Sequence, residues 1–234
     1  MIKKIGKWVL GTVLLLLVVL GTLFAIMHES RPHGIVGTEA DALANKMLTA
    51  LNYEAYKNTR FLEWSFANDR HHYMWDKEQH QVTVRWEDYT VNLHLKDTNF
   101  GEVLESGNTI DGSERVKILK KARKYFNNDS FWLVAPYKVY DPGTQRSLVT
   151  LDDGTQGLLV TYTTGGDTPG DSYLWLLNGE GIPQSFKMWV NIIPIGGLEA
   201  SWEGWQLTES GAWLPTIHKL GPISLGLGTV KGYN

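Results

Sequence analysis

Residues 8–27 form an apolar run of 20 residues without a charge, and at about 1.5 Å of helical rise each, such a run spans the ~30 Å hydrocarbon core of a bilayer. Residues 1–27 are therefore expected to be a single N-terminal transmembrane helix. The competing reading is a cleaved signal, whose apolar region is usually shorter and ends in an A-x-A-like site; Ala25-Ile26-Met27 supplies none. Lys3, Lys4 and Lys7 precede the run and Arg31 is the first basic residue after it. That bias predicts a cytoplasmic N-terminus, a single pass through the inner membrane and a periplasmic domain. Pro32, Gly34 and Gly37 mark residues 28–37 as a tether, with the domain occupying 38–234.

Beyond the tether the periodicity changes twice. Thr38, with Glu39 and Asp41 behind it, reads as a helix start, and Leu43, Met47, Leu48 and Leu51 recur on one face. The period then becomes two. Leu62, Trp64 and Phe66 alternate with polar residues, followed by Tyr73 and Trp75, then Val82, Val84 and Trp86, then Tyr89, Val91, Leu93 and Leu95. A second helix is predicted between Glu114 and Phe126, where Val116, Leu119, Ala122 and Phe126 share a face and the lysines lie elsewhere. Strands resume at Leu148–Leu151, Leu158–Thr163, Ser172–Leu177, Ser185–Ile192, Leu198–Leu207 and Ala212–His218. The links are too short for parallel crossovers, so the expected fold is α+β with a curved antiparallel sheet and helices on its concave side.

Composition removes several functions. With 22 Lys and Arg against 25 Asp and Glu the net charge is -3, which leaves no footprint for nucleic acid. Cysteine is absent, and with it disulfides, thiolate metal sites, Cys nucleophiles and an N-terminal lipid anchor. Ten Trp, ten Tyr and seven Phe exceed what a sheet of this size needs for its core.

The layout resembles the LolA/LolB-like superfamily, the outer-membrane lipoprotein-sorting carriers and receptors. The resemblance is carried by Asn128-Asp129-Ser130-Phe131-Trp132-Leu133, Ala135-Pro136-Tyr137-Lys138, Asp141-Pro142-Gly143, Gly170-Asp171-Ser172-Tyr173-Leu174-Trp175 and the segment Gly196 to Trp205. It implies a half-open β-barrel over an apolar cavity that binds acyl chains or a lipid-modified partner, without catalysis and without a cofactor. This chain departs from the family in having its own hydrophobic helix. The carriers are released and the receptors are held by a lipid on cysteine, so short-range handover near the membrane is expected rather than shuttling.

The ring positions expected to face inward are Trp64, Phe66, Tyr73, Trp75, Trp86, Trp175, Trp189, Trp202 and Trp213, since each sits in an alternating run. They line a cavity on one reading and form an ordinary core on the other. Trp202 and Trp205, three apart, face opposite sides of a regular strand. Glu199 and Glu203 share a face there, which opens the alternative of a cell-envelope hydrolase acting on glycan or ester through paired carboxylates. An envelope scaffold is the third reading. His71 and His72 point to opposite faces and make a poor chelating pair, His80 and His94 can meet across a hairpin without a third ligand, and no metal is expected. The acids of Gly165–Asp171 lack the spacing of a calcium loop.

Overall fold

The computed structural model describes residues 2–164 and 168–234, and the side chains of residues 2–10, 20 and 23 lie outside that description. Part of the Gly165–Asp171 loop therefore lies outside the described residues too. Ile2–Met27 is one helix, α1. From Val13 to Val19 its side chains are exposed all round. Among the described residues, however, no helix is long and apolar enough to cross a membrane, so the fold by itself does not supply the expected transmembrane helix. The run that is described is interrupted at residues 20 and 23.

Residues 28–37 lie against the domain. Glu29 donates its N–H to Gly196 O (2.9 Å), and Ile35 exchanges two backbone hydrogen bonds of 2.8 Å with Leu148. Arg31 reaches Ser172 Oγ at 3.2 Å. A Cβ built on Gly34 would stand 2.5 Å from that of Ser147, so the chain presses on the sheet here.

Thr38–Ala50 (α2) carries Glu39 and Asp41 in its first turn, where the helix dipole favours acids. Its cap position is Gly37, with Thr38 already helical, and not Thr38 as the pattern implied. Tyr53–Asn58 (α3) follows. Then come six antiparallel strands, Phe61–Phe66 (β1), His71–Asp76 (β2), Gln81–Trp86 (β3), Tyr89–His94 (β4), Gly101–Glu105 (β5) and Asn108–Thr109 (β6). Gly112–Val134 (α4) and a 3-10 turn, Ala135–Lys138, lead into the second half. There the strands are Thr144–Thr150 (β7), Gln156–Tyr162 (β8), Ser172–Leu177 (β9), Pro183–Trp189 (β10) and Leu198–Ser201 (β11). Gln206–Leu207 (β12) and Trp213–Leu214 (β13) pair with each other, and Ile217–Leu220 (β14), Ile223–Gly226 (β15) and Lys231–Tyr233 (β16) complete the chain.

These strands make two seven-stranded antiparallel sheets, ordered β16-β1-β2-β3-β4-β5-β6 and β15-β14-β11-β10-β9-β8-β7. The first four strands of the first sheet match the alternation in the sequence. The sheets adjoin where Ser65 N donates to Leu227 O at 3.0 Å. Gly228, at φ +58, sits so close that an added Cβ would fall 2.0 Å from Ser65 Oγ. α2 packs on β7 and β8, α4 on β4 and β5. Arg146 of β7 ties α2 down through Asp41, Nε to Oδ1 at 2.7 Å. One hydrophobic core joins the inner faces of both sheets to α2, α3 and α4, and a smaller one of Val149, Leu159, Leu174 and Trp189 sits on the other face of the second sheet.

Two predicted strands are broken. Leu198–Leu207 stops at Ser201 and resumes at Gln206, because Gly204 takes φ +64 in a close approach to Thr216. Ala212–His218 divides at Pro215, which cannot donate to a ladder.

Candidate functional site

α4 lies between the two sheets and turns a different ring to each. Phe126 meets Trp75 edge-on at 5.2 Å and tilts toward Trp64 and Tyr73 at 6.2 and 6.3 Å. One turn on, Phe131 reaches Tyr173 at 4.5 Å, while Trp132 touches Phe186 at 5.6 Å and His218 at 5.2 Å. The helix can do this because it runs past the predicted end at Phe126 to Val134. It stops there since Pro136 has no N–H for the carbonyl of Trp132.

All the nominated rings except Trp189 belong to the main core: Trp64, Phe66, Tyr73, Trp86, Trp175 and Trp202 are buried, and Trp75 and Trp213 are partly buried against it. Trp189 is on the opposite face, since Phe186 and Met188 take the inward parity of β10. Its indole donates to Glu29 O at 2.7 Å. Trp202 and Trp205 stack, 6.0 Å apart and 25° from parallel, instead of facing opposite ways, because both lie in the break after the strand ends at Ser201. Five inward indoles, those of Trp64, Trp75, Trp86, Trp175 and Trp202, have buried N–H groups without a hydrogen-bond partner.

A polar latch holds α4 to the first sheet. Asp129, only 2% exposed, accepts from Tyr73 OH at 2.5 Å and Asn128 Nδ2 at 2.8 Å, and pairs with His71 Nδ1 at 2.7 Å. Burial and the Asp129 charge push the Tyr73 phenol well above its ordinary range, so it keeps the proton it donates. Tyr125 stacks on His71 at 4.0 Å. Sequence reasoning assigned Asp129 and His71 no role. The helical spacing Phe126, Asp129, Leu133 would have placed the acid on the buried face had the helix been extended.

His218, 0% exposed, is a second buried titratable group beside Trp132 and Trp202. Its Nδ1 lies 2.9 Å from Ser201 O, a carbonyl that only accepts. Burial pushes the imidazole down to about 4, outweighing the backbone of Ser201 and Trp132 and the charge of Glu203, which favour the proton. The unfolded chain binds a proton near pH 6.5 and the folded chain only near pH 4, so stability falls as pH drops through that window. The loss is expected to reach about 3 kcal/mol, at 1.36 kcal/mol per pH unit. Urea midpoints at pH 7 and pH 4.5 measure it, and His218→Gln should flatten the slope above pH 4.5.

On the outer face of β1–β3 an open cleft of about 530 Å³ is bordered by Glu63, Ser65, Asp69, His72, Arg85 and Lys231, with Trp64 and Tyr73 at its floor. Lys231 Nζ at 3.0 Å and Tyr233 OH at 2.5 Å bind Glu63, and the hydrogen bond from Tyr233 does most to hold its carboxyl below the usual range. Ser65 donates its hydroxyl proton to Asp69. The carboxylates proposed for hydrolysis have separate partners: Glu199 accepts from Ser185 Oγ at 2.5 Å, and Glu203 pairs with Lys219 at 2.8 Å on the surface. His94 meets Phe100 edge-on, and the backbone of His80 accepts from Leu95. Among the described residues no group of three His, Asp or Glu is placed to hold a metal ion.

No family model matches the chain, and no curated protein matches it. Among solved structures it is similar to a DUF1329 family protein from Desulfovibrio piger ATCC 29098, with 9% identity and a TM-score of 0.39 over 82% of this chain and 92% of that one. Neither the LolA/LolB-like kinship nor a function follows from a likeness of that size.

Proposed function

We propose that this chain is a membrane-anchored periplasmic binding domain, without a catalytic step, that takes lipid acyl chains or a lipid-modified partner between its two sheets. The observation that carries the reading is the cluster of rings packed around α4, in which five indole donors are buried without a partner. Buried donors are ordinarily satisfied. An acyl chain with ester or carboxyl oxygens suits such a lining, its body against the rings and its head on the donors.

Entry displaces α4. The helix is joined to the sheets by turns at both ends, Gly112 at φ +68 and the 3-10 turn after Val134, and its polar ties to the first sheet are the buried carboxylate of Asp129, Arg115 on Gly101 O and Arg123 on His94 O. In this reading the joined sheets act as a half-open barrel and α4 as its plug. Residues 8–27 act as the inner-membrane anchor, supported by their uncharged length and by a helix whose described side chains carry no charge and are exposed.

Residues 28–234, whose core includes none of the described side chains of α1, test the reading in native mass spectrometry with oleate and phosphatidylglycerol. The expected result is a bound lipid mass, together with faster amide exchange over 112–134. A domain that stays empty at every lipid concentration contradicts it.

A further inference from the structure

The helix α1 does not lead into a free linker. The two residues that follow it are bound to the β10–β11 hairpin: His28, on which Phe24 of the last turn stacks at 5.0 Å, accepts from Gly196 N at its Nδ1 at 3.1 Å. Glu29 N donates to Gly196 O at 2.9 Å, and Lys187 Nζ donates to both carboxylate oxygens of Glu29 at 2.8 Å. The point where the chain leaves its apolar run is thus beside the loop that joins β10 to β11, at Gly196.

The tip of that hairpin reads Asn191-Ile192-Ile193-Pro194-Ile195, without a charge. Ile193 is turned into the core, whereas Ile192 is 72% exposed and Pro194 is exposed with it. An exposed apolar side chain is ordinary by itself, and what sets these two apart is their place on the molecule. Here the candidate partner is given by what lies next to the tip, the end of a helix with a bilayer-length apolar run.

We propose that the tip of the β10–β11 hairpin is a second membrane contact, with Ile192 and Pro194 seated at the boundary between headgroups and acyl chains beside α1. This rests on the reading of residues 8–27 as the membrane anchor. The buried area is small, so the contact does not hold the protein on the membrane. Tethering by α1 supplies a high effective concentration, and a weak contact then suffices to fix orientation. The domain stands on the bilayer in one pose, with the second sheet next to the surface.

The chain has no cysteine, so one can be introduced at a time in the full-length protein, at Val13, Ile192 or Asn108, and labelled with an environment-sensitive fluorophore. Each is reconstituted into phosphatidylcholine–phosphatidylglycerol vesicles containing nitroxide lipids. Asn108, exposed on β6 at the far edge of the other sheet, is the reference for a site in water. The expected result is strong quenching at Val13, quenching at Ile192 several-fold above that at Asn108, and little at Asn108. Quenching at Val13 with Ile192 no different from Asn108 overturns the hairpin contact and leaves the anchor standing. Absence of quenching at Val13 overturns the anchor, and the hairpin contact with it.

Discussion

Asp129→Ala is expected to destabilise the fold by about 3–5 kcal/mol, because it removes a buried carboxylate and strands the three groups bonded to it. Tyr73 OH at 2.5 Å loses its acceptor inside the core, and His71 Nδ1 at 2.7 Å and Asn128 Nδ2 at 2.8 Å lose theirs at its margin. Asp129→Asn keeps the volume and one oxygen, and should lose clearly less. The measurement is the urea midpoint at pH 7. Its companion is amide exchange in α4, which should rise more in the Ala variant than in the Asn variant. If α4 is a plug held by this carboxylate, the Ala variant should also take up lipid at lower concentration than the parent. A variant with parental stability would show that the latch holds nothing.

Trp202→Ala is the second large effect, expected at about 3–5 kcal/mol for removal of a buried ring. The indole lies 4.9 Å from Trp175, 5.7 Å from Phe186 and 4.5 Å from His218, so the hole opens in the middle of the core. Trp189→Ala is the control, since that ring packs on the opposite face of the sheet with Val149, Leu159 and Leu174. It should lose less stability and leave lipid uptake unchanged. Thermal and urea unfolding of the two variants side by side decide the matter.

The first sheet was legible because its early strands keep apolar residues on the inner face and mostly polar ones on the outer, which holds the period of two from Leu62 to Leu93. In β8 and β9 both faces are buried, by the main core on one side and the smaller cluster on the other. Alternation then carries no information about direction. Trp189 was still recoverable, from its odd parity against Phe186 and Met188. β5 and β6 escaped notice, as only Val103 among them is buried. The second half of α4 was hidden by Asn127-Asn128-Asp129-Ser130, residues that compete with the helical backbone and that tertiary contacts override here. The latch lies in that stretch. The pairing of Glu199 with Glu203 failed for a related reason, since a turn dictated by Gly204 cannot be seen in a polarity pattern.

A photoreactive fatty acid carrying its diazirine in mid-chain, irradiated with residues 28–234 and mapped by peptide mass spectrometry, tests the lipid-binding claim most directly. The account predicts adducts on the inner faces of both sheets and on α4, around Trp64, Trp86, Phe131 and Trp175, reduced by competing oleate. Adducts confined to the outer cleft or the hairpin tip, or none above the unirradiated control, would contradict it.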